Sequence, residues 1–162
     1  MDGSGAPPVE GDQAVPGASI WQGVRRSGIH RGVDPSLIEA ELRRFFAADP
    51  RGATTVYLYG SVARGTAGER SDVDVAVLYG RPPPRTLEQL PLRVEEEIEK
   101  LLGMPAQVVV LDGAPPDLIH RVLRDGKLLL DRDPSARIRF EVKARNEFFD
   151  LELILRRYRK VP

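Results

Sequence analysis

The chain has no cysteine among its 162 residues. Disulfides, thiolate nucleophiles and cysteine-held metals are therefore excluded, nothing points to an oxidising compartment, and a cytoplasmic protein is the default expectation. It also has no excess of charge, because 24 Lys and Arg balance 24 Asp and Glu. Without an overall field to draw it to nucleic acid or anionic lipid, either partner would need a local patch, and neither is expected as a direct partner. No apolar run approaches the ~18 residues of a membrane span, and the N-terminus lacks the basic start and apolar segment of a secretion signal. Histidine is scarce too. His30 and His120 lie far apart with no local ligand pattern, so both read as structural or surface residues.

What is present is a 41% apolar chain, enough for one compact domain with a core. Residues 1–32 are rich in Gly, Pro and small polar side chains around a lone Trp21, and are expected to be a flexible tail whose cluster of Arg25, Arg26, His30 and Arg31 is solvated charge. The folded domain is then expected over residues 33–162.

Within it, Asp34-Pro35-Ser36 offers a helix cap followed by proline, and Leu37, Ile38, Leu42, Phe45 and Phe46 recur at helical spacing until Pro50. Thr54 to Tyr59 and Asp72 to Tyr79 read as strands on either side of a loop with Gly65 and Gly68. Glu88 to Leu102 is amphipathic with period 3.6, and Gln107 to Leu111 is a third strand. Pro115-Pro116 opens a short helix through Leu123, Lys127 to Leu130 gives a fourth strand, and Pro134 to Arg159 a long terminal helix. The triple proline Pro82-Pro83-Pro84 is a stiff connection. The order predicts an α/β (α+β) fold, a small mixed sheet flanked by helices. The aromatic and aliphatic residues of the last helix, Phe140, Phe148, Phe149, Leu151, Ile154, Leu155 and Tyr158, are read mostly as core, with enough apolar surface left for a partner helix.

The chemistry concentrates in Gly60-Ser61-Val62-Ala63-Arg64-Gly65 and Ser71-Asp72-Val73-Asp74. Side chains two apart on a strand share a face, so Asp72 and Asp74 stand side by side while Val73, Val75 and Val77 face a core. Adjacent carboxylates repel unless a cation lies between them, and magnesium commonly binds one or two carboxylates together with nucleotide phosphates. Gly60 lets the backbone approach a phosphate, to which the Ser61 hydroxyl and the amides of the next turn can donate. Arg64 adds a planar fork suited to phosphate, with an ion pair to Glu69 as the plainer alternative.

This glycine-serine followed by a spaced aspartate-x-aspartate resembles the signature of the DNA polymerase beta nucleotidyltransferase superfamily. Within it, the stretches Ala114-Pro115-Pro116-Asp117-Leu118 and Val122-Leu123-Arg124-Asp125-Gly126-Lys127-Leu128-Leu129, together with Phe140-Glu141 and Phe149-Asp150, resemble the minimal nucleotidyltransferase (MNT) antitoxins. The resemblance implies a nucleotidyltransferase fold and a site for Mg2+ and ATP, with Asp72 and Asp74 as catalytic metal ligands and Gly60, Ser61, Arg64, Gly65 and Ser71 around the nucleotide. It also implies transfer of AMP to a tyrosine of a partner HEPN-domain ribonuclease toxin.

The superfamily adds a third acidic residue from a later strand, and the matching position here is Gln107. An amide can offer a carbonyl oxygen to a metal but cannot accept a proton as a general base. Asp112 stands five residues further, ~16 Å along a strand and on the opposite face, so it is no substitute. A non-catalytic antitoxin that neutralises by binding is the second expectation. A stand-alone transferase for a small molecule ranks last, because no second acceptor-binding domain follows.

Overall fold

The computed structural model describes residues 34–68, 70–80 and 90–158. The expected N-terminal tail, the cluster around Arg25, the triple proline and Glu69 lie outside those residues. Helix α1 (Pro35–Ala48) begins as its sequence predicts, with the Asp34 carboxylate accepting a hydrogen bond from the Ser36 amide at 2.9 Å and proline in the first turn. Ile38, Leu42 and Phe46, four residues apart, form its buried face.

Four strands follow, β1 (Thr55–Tyr59), β2 (Val73–Leu78), β3 (Ala106–Val110) and β4 (Lys127–Asp131), in the spatial order β3-β2-β1-β4. The β1–β2 and β1–β4 pairs are antiparallel and β2–β3 is parallel, which makes the sheet mixed as expected. A parallel neighbour needs a crossover, supplied here by α3 (Leu90–Leu102). A single turn, α2 (Gly60–Ala63), leaves the end of β1, and α4 (Pro116–Asp125) and α5 (Pro134–Tyr158) complete the chain. Residue 111 is not part of β3, although its amide still donates to the Val77 carbonyl at 2.8 Å.

Strand periodicity divides the sheet into two apolar faces. On β2, Val73, Val75 and Val77 join Ile38, Leu42 and Phe46 of α1 and Val94, Ile98 and Leu102 of α3. Ala76 and Leu78 point the other way, into a smaller cluster with Tyr57, Ile119 and Val122 of α4 and Ala144 of α5. The sheet is thus the middle of three layers, and Asp74 shares the face of Ala76 and Leu78, under α4 and α5.

Polar groups tie α5 to the sheet. Arg137 donates from Nε to Asp131 at 2.9 Å and from Nη1 to Glu141 at 2.8 Å, and the Tyr57 hydroxyl donates to the same Glu141 oxygen at 2.9 Å. Burial first and the Glu141 charge second push the Tyr57 hydroxyl well above the ordinary tyrosine range, keeping it a donor. His120 stacks on Phe148 with ring centroids 3.8 Å apart, joining α4 to α5, in keeping with a structural role for that histidine.

Phe46 is the largest fully buried side chain and bridges α1 to the sheet core. Phe46→Ala is expected to lower unfolding stability by about 3–5 kcal/mol, seen as a lower urea midpoint at an unchanged m value.

Candidate functional site

The parallel and antiparallel registers converge on one row. Tyr59 of β1 pairs with Asp74 of β2, and Asp74 pairs with Gln107 of β3, so the three side chains stand abreast on the α4 face. Asp72 lies one residue before β2 begins and is exposed, while Asp74 is half-buried. Position 107 is therefore where a third carboxylate would complete the row, and it holds an amide.

Gly60 follows Tyr59 directly, with φ +74°, a conformation that L side chains rarely adopt. It is also packed against the acid: a Cβ built there would overlap the Asp74 carboxylate. The turn of α2 then carries Ser61 toward the same space. Its carbonyl accepts from the Thr66 amide at 2.9 Å, and Gly65, at φ +70°, reverses the chain. The Ser71 hydroxyl accepts from the Gly68 amide at 2.9 Å and so closes the loop ahead of Asp72.

These elements border an open cleft of about 680 Å³. Gly60, Ser61, Arg64, Ser71, Asp72, Asp74 and Gln107 all line it, so seven of the eight residues singled out in the sequence meet in one place. Gly65 does not line it and serves the turn. Asp112 is far from the row, where its carboxylate accepts from the Tyr79 amide at 2.7 Å beyond the other end of β2.

The facing wall was not anticipated. Arg121, Arg124 and Asp125 come from α4, Arg70 from the loop, and Tyr59, Val109 and Leu118 fill between them. The helix runs two residues past Leu123, which places Arg124 and Asp125 on its last turn. Arg121 and Arg124, three apart, share a helix face, and that spacing was the available sequence signal.

Asp125 is the link across the cleft. It accepts two hydrogen bonds from Arg124 at 2.7 Å each and lies 3.6 Å from an Arg64 nitrogen. The Arg124 guanidinium, and Arg64 after it, hold its carboxyl below the usual carboxylate range. Arg64 is thus paired with Asp125.

Asp74 is affected in the opposite sense. Burial raises its carboxyl first, the neighbouring Asp72 raises it further, and Arg64 only partly offsets the two. Among the described residues no group of three or more His, Asp or Glu side chains is placed to hold a metal. Two carboxylates and the Gln107 carbonyl oxygen suit a hard cation that draws its other ligands from water and phosphate, as magnesium does. The Gly60 cradle fits the same chemistry, because it clears space at the Asp74 oxygen.

The family model of the polymerase beta nucleotidyltransferases matches residues 41–135, more than half of the chain. The chain belongs to this family. Solved structures agree on the fold. A chain of a toxin–antitoxin crystal structure with AMP-PNP matches with a TM-score of 0.62 at 22% identity, covering 74% of this chain and 94% of that one. A structure of the tri-AMPylated Shewanella oneidensis HEPN toxin in complex with its MNT antitoxin matches with a TM-score of 0.59 at 19% identity, covering 76% and 94%. A third, of the toxin–antitoxin pair MntA-HepT, gives 0.58 at 20% identity, with 76% and 94% covered. No curated protein matches. As in other nucleotidyltransferase folds, the sheet is mixed and its helices lie on both faces, and none of the described helices is long and apolar enough to cross a membrane.

Because the folded-state carboxyl of Asp74 lies above its ordinary value, the native state holds that proton to higher pH than the unfolded chain does, and stability falls as pH rises through this interval. Asp74→Asn removes the charge while keeping the shape. In metal-free buffer it is expected to raise the melting temperature at pH 7–8, an advantage that shrinks as pH is lowered toward the ordinary aspartate value of about 3.9.

Proposed function

We propose that this protein is an MNT-type antitoxin that holds ATP and magnesium in the cleft between the Gly60 turn and α4, and transfers AMP to a tyrosine of a HEPN-domain toxin. The observation that carries the reading is the close packing of Gly60 on Asp74 beside Asp72, opposite the arginines of α4. A turn cleared of its Cβ, two carboxylates that repel, and cations across the gap form a poor surface for a purely structural role. They suit a polyphosphate, whose oxygens supply the negative charge that the arginines match.

In this reading Asp72 and Asp74 hold magnesium, which when bound neutralises the triphosphate. Ser61 and the backbone at Gly60 contact the phosphates, and Arg64, Arg121 and Arg124 orient them. The phenolic oxygen of the acceptor forms a bond to the α-phosphorus, the bond from that phosphorus to the bridging oxygen breaks, and pyrophosphate leaves. The phenolic proton passes to water, because Gln107 has no group able to accept it. The family membership supports nucleotidyl transfer, and the fold shared with chains of toxin–antitoxin structures supports the partner.

Gln107 in register with Asp74 favours a second reading, a protein of the same fold that neutralises the toxin by binding it without turnover. Intact-mass measurement of a cognate HEPN-domain toxin, after incubation with the protein, ATP and magnesium, separates the two. Transfer predicts a mass gain in whole AMP units that disappears with the Asp72→Asn, Asp74→Asn double variant, and an increase in rate of about 10²-fold or more for Gln107→Asp. A tight complex with unchanged toxin mass, and neutralisation that survives the double variant, would establish the binding-only antitoxin.

A further inference from the structure

Helix α5 turns Phe140, Ala144 and Phe148 toward the sheet and α4. Its outer side is not polar. Ile138, Val142, Phe149 and Leu153, spaced four, seven and four residues apart, form a stripe in which each side chain is more than half exposed among the described residues. The spacing keeps them within about 60° of one another around the helix, over ~22 Å of its length. Four apolar side chains in line on a water-facing helix are costly to leave uncovered.

The charges beside the stripe identify what fits it. Along one margin Arg139 stands near the start and Asp150 near the end, lining the same groove as Ile138 and Val142, whereas Lys143 and Glu147, further round the helix, pair with each other at 3.7 Å. In an antiparallel pair of identical helices each margin meets its own copy reversed, as in antiparallel coiled coils. Turning this margin end for end sets Arg139 against Asp150, twice over. The same register sets Ile138 against Leu153 and Val142 against Phe149, and leaves Asn146 beside the two-fold axis, where a pair of asparagines can hydrogen-bond. Arg145, on the other margin, is held by Glu141 of its own helix at 3.7 Å.

We infer that α5 is a self-association surface, pairing antiparallel with α5 of a second copy of this chain about an axis beside Asn146. A parallel pair would bring this margin against the other one and forgo both Arg139–Asp150 pairs, so the order of charges selects the orientation as well as the partner. The stripe is on the far side of α5 from the cleft, so pairing leaves the cleft open. One helix pair buries less than the ~1,200 Å² of a tight complex, and a dissociation constant on the order of 10 μM is expected.

The test uses the full chain in sedimentation velocity over a concentration series. The expected result is a monomer–dimer equilibrium that Val142→Asp weakens at least tenfold, and that Arg139→Asp weakens while the Arg139→Asp, Asp150→Arg pair restores it. Val142 is exposed, and retention of the wild-type melting temperature would exclude misfolding as the cause. The absence of native cysteine allows a second measurement on single-cysteine variants. Mild oxidation should cross-link Asn146→Cys to itself but neither Ile138→Cys nor Leu153→Cys, which should cross-link only when the two variants are mixed. A monomer at every concentration, whether α5 is covered by another segment of the chain or only by a toxin partner, would overturn the proposal. Self-cross-linking at Ile138→Cys, the mark of a parallel pair, would overturn it equally.

Discussion

The arrangement of the cleft rests on the pairing of Tyr59 with Asp74. This antiparallel register sets the end of β1 beside the start of β2, so that the residue after the strand, Gly60, meets the Asp74 carboxylate. A shift of one residue would turn Asp74 into the apolar layer under α1 and α3 and move Val73, Val75 and Val77 to the α4 face instead. Burial of Val73, Val75 and Val77 against α1 and α3 therefore fixes, through alternation alone, the face on which Asp74 stands. The hydrophobic core and the acidic row are two readings of the same strand.

Electrostatically the cleft is held away from its own optimum. Asp72 and Asp74 lie close enough to raise the Asp74 carboxyl, and the Arg64 guanidinium that partly offsets this is shared with Asp125. The α4 arginines face the acids across open space. Apart from the Arg64–Asp125 link, acids on one wall and arginines on the other leave a gap suited to a ligand carrying both signs, such as a polyphosphate with its counter-cation. The structure tolerates the repulsion because the rest of the sheet is apolar on both faces.

Much of this was legible in the sequence, for a definable reason. Period-two alternation in Val73 to Leu78 and period-3.6 spacing in Ile38 to Phe46 and Val94 to Leu102 are local records of burial, and all three segments took the predicted form. The glycine-serine and spaced aspartates fell together because adjacent strands carry them, and Gln107 arrived at its expected place through the parallel crossover. The α4 wall was missed because its contribution is tertiary. Arg121 and Arg124 resemble any solvated helical arginines until the packing of Ile119 and Val122 decides which side of the helix overhangs the row. The terminal helix misled in the other direction: Phe149, Ile154 and Leu155, read as mostly core, are about half exposed, because apolar residues there occupy more than one face and periodicity does not tell which face finds a neighbour.

Position 60 carries two separate demands. The left-handed backbone alone would admit asparagine, which tolerates positive φ far better than other side chains. The closeness of the Asp74 oxygen would not, since asparagine brings a Cβ. A descendant of this fold that dispensed with the acid at 74 would be free to drift to asparagine at 60, whereas one that keeps the acid cannot change position 60 first. The glycine is in that sense bound to the carboxylate at 74, whatever side chain stands at position 107.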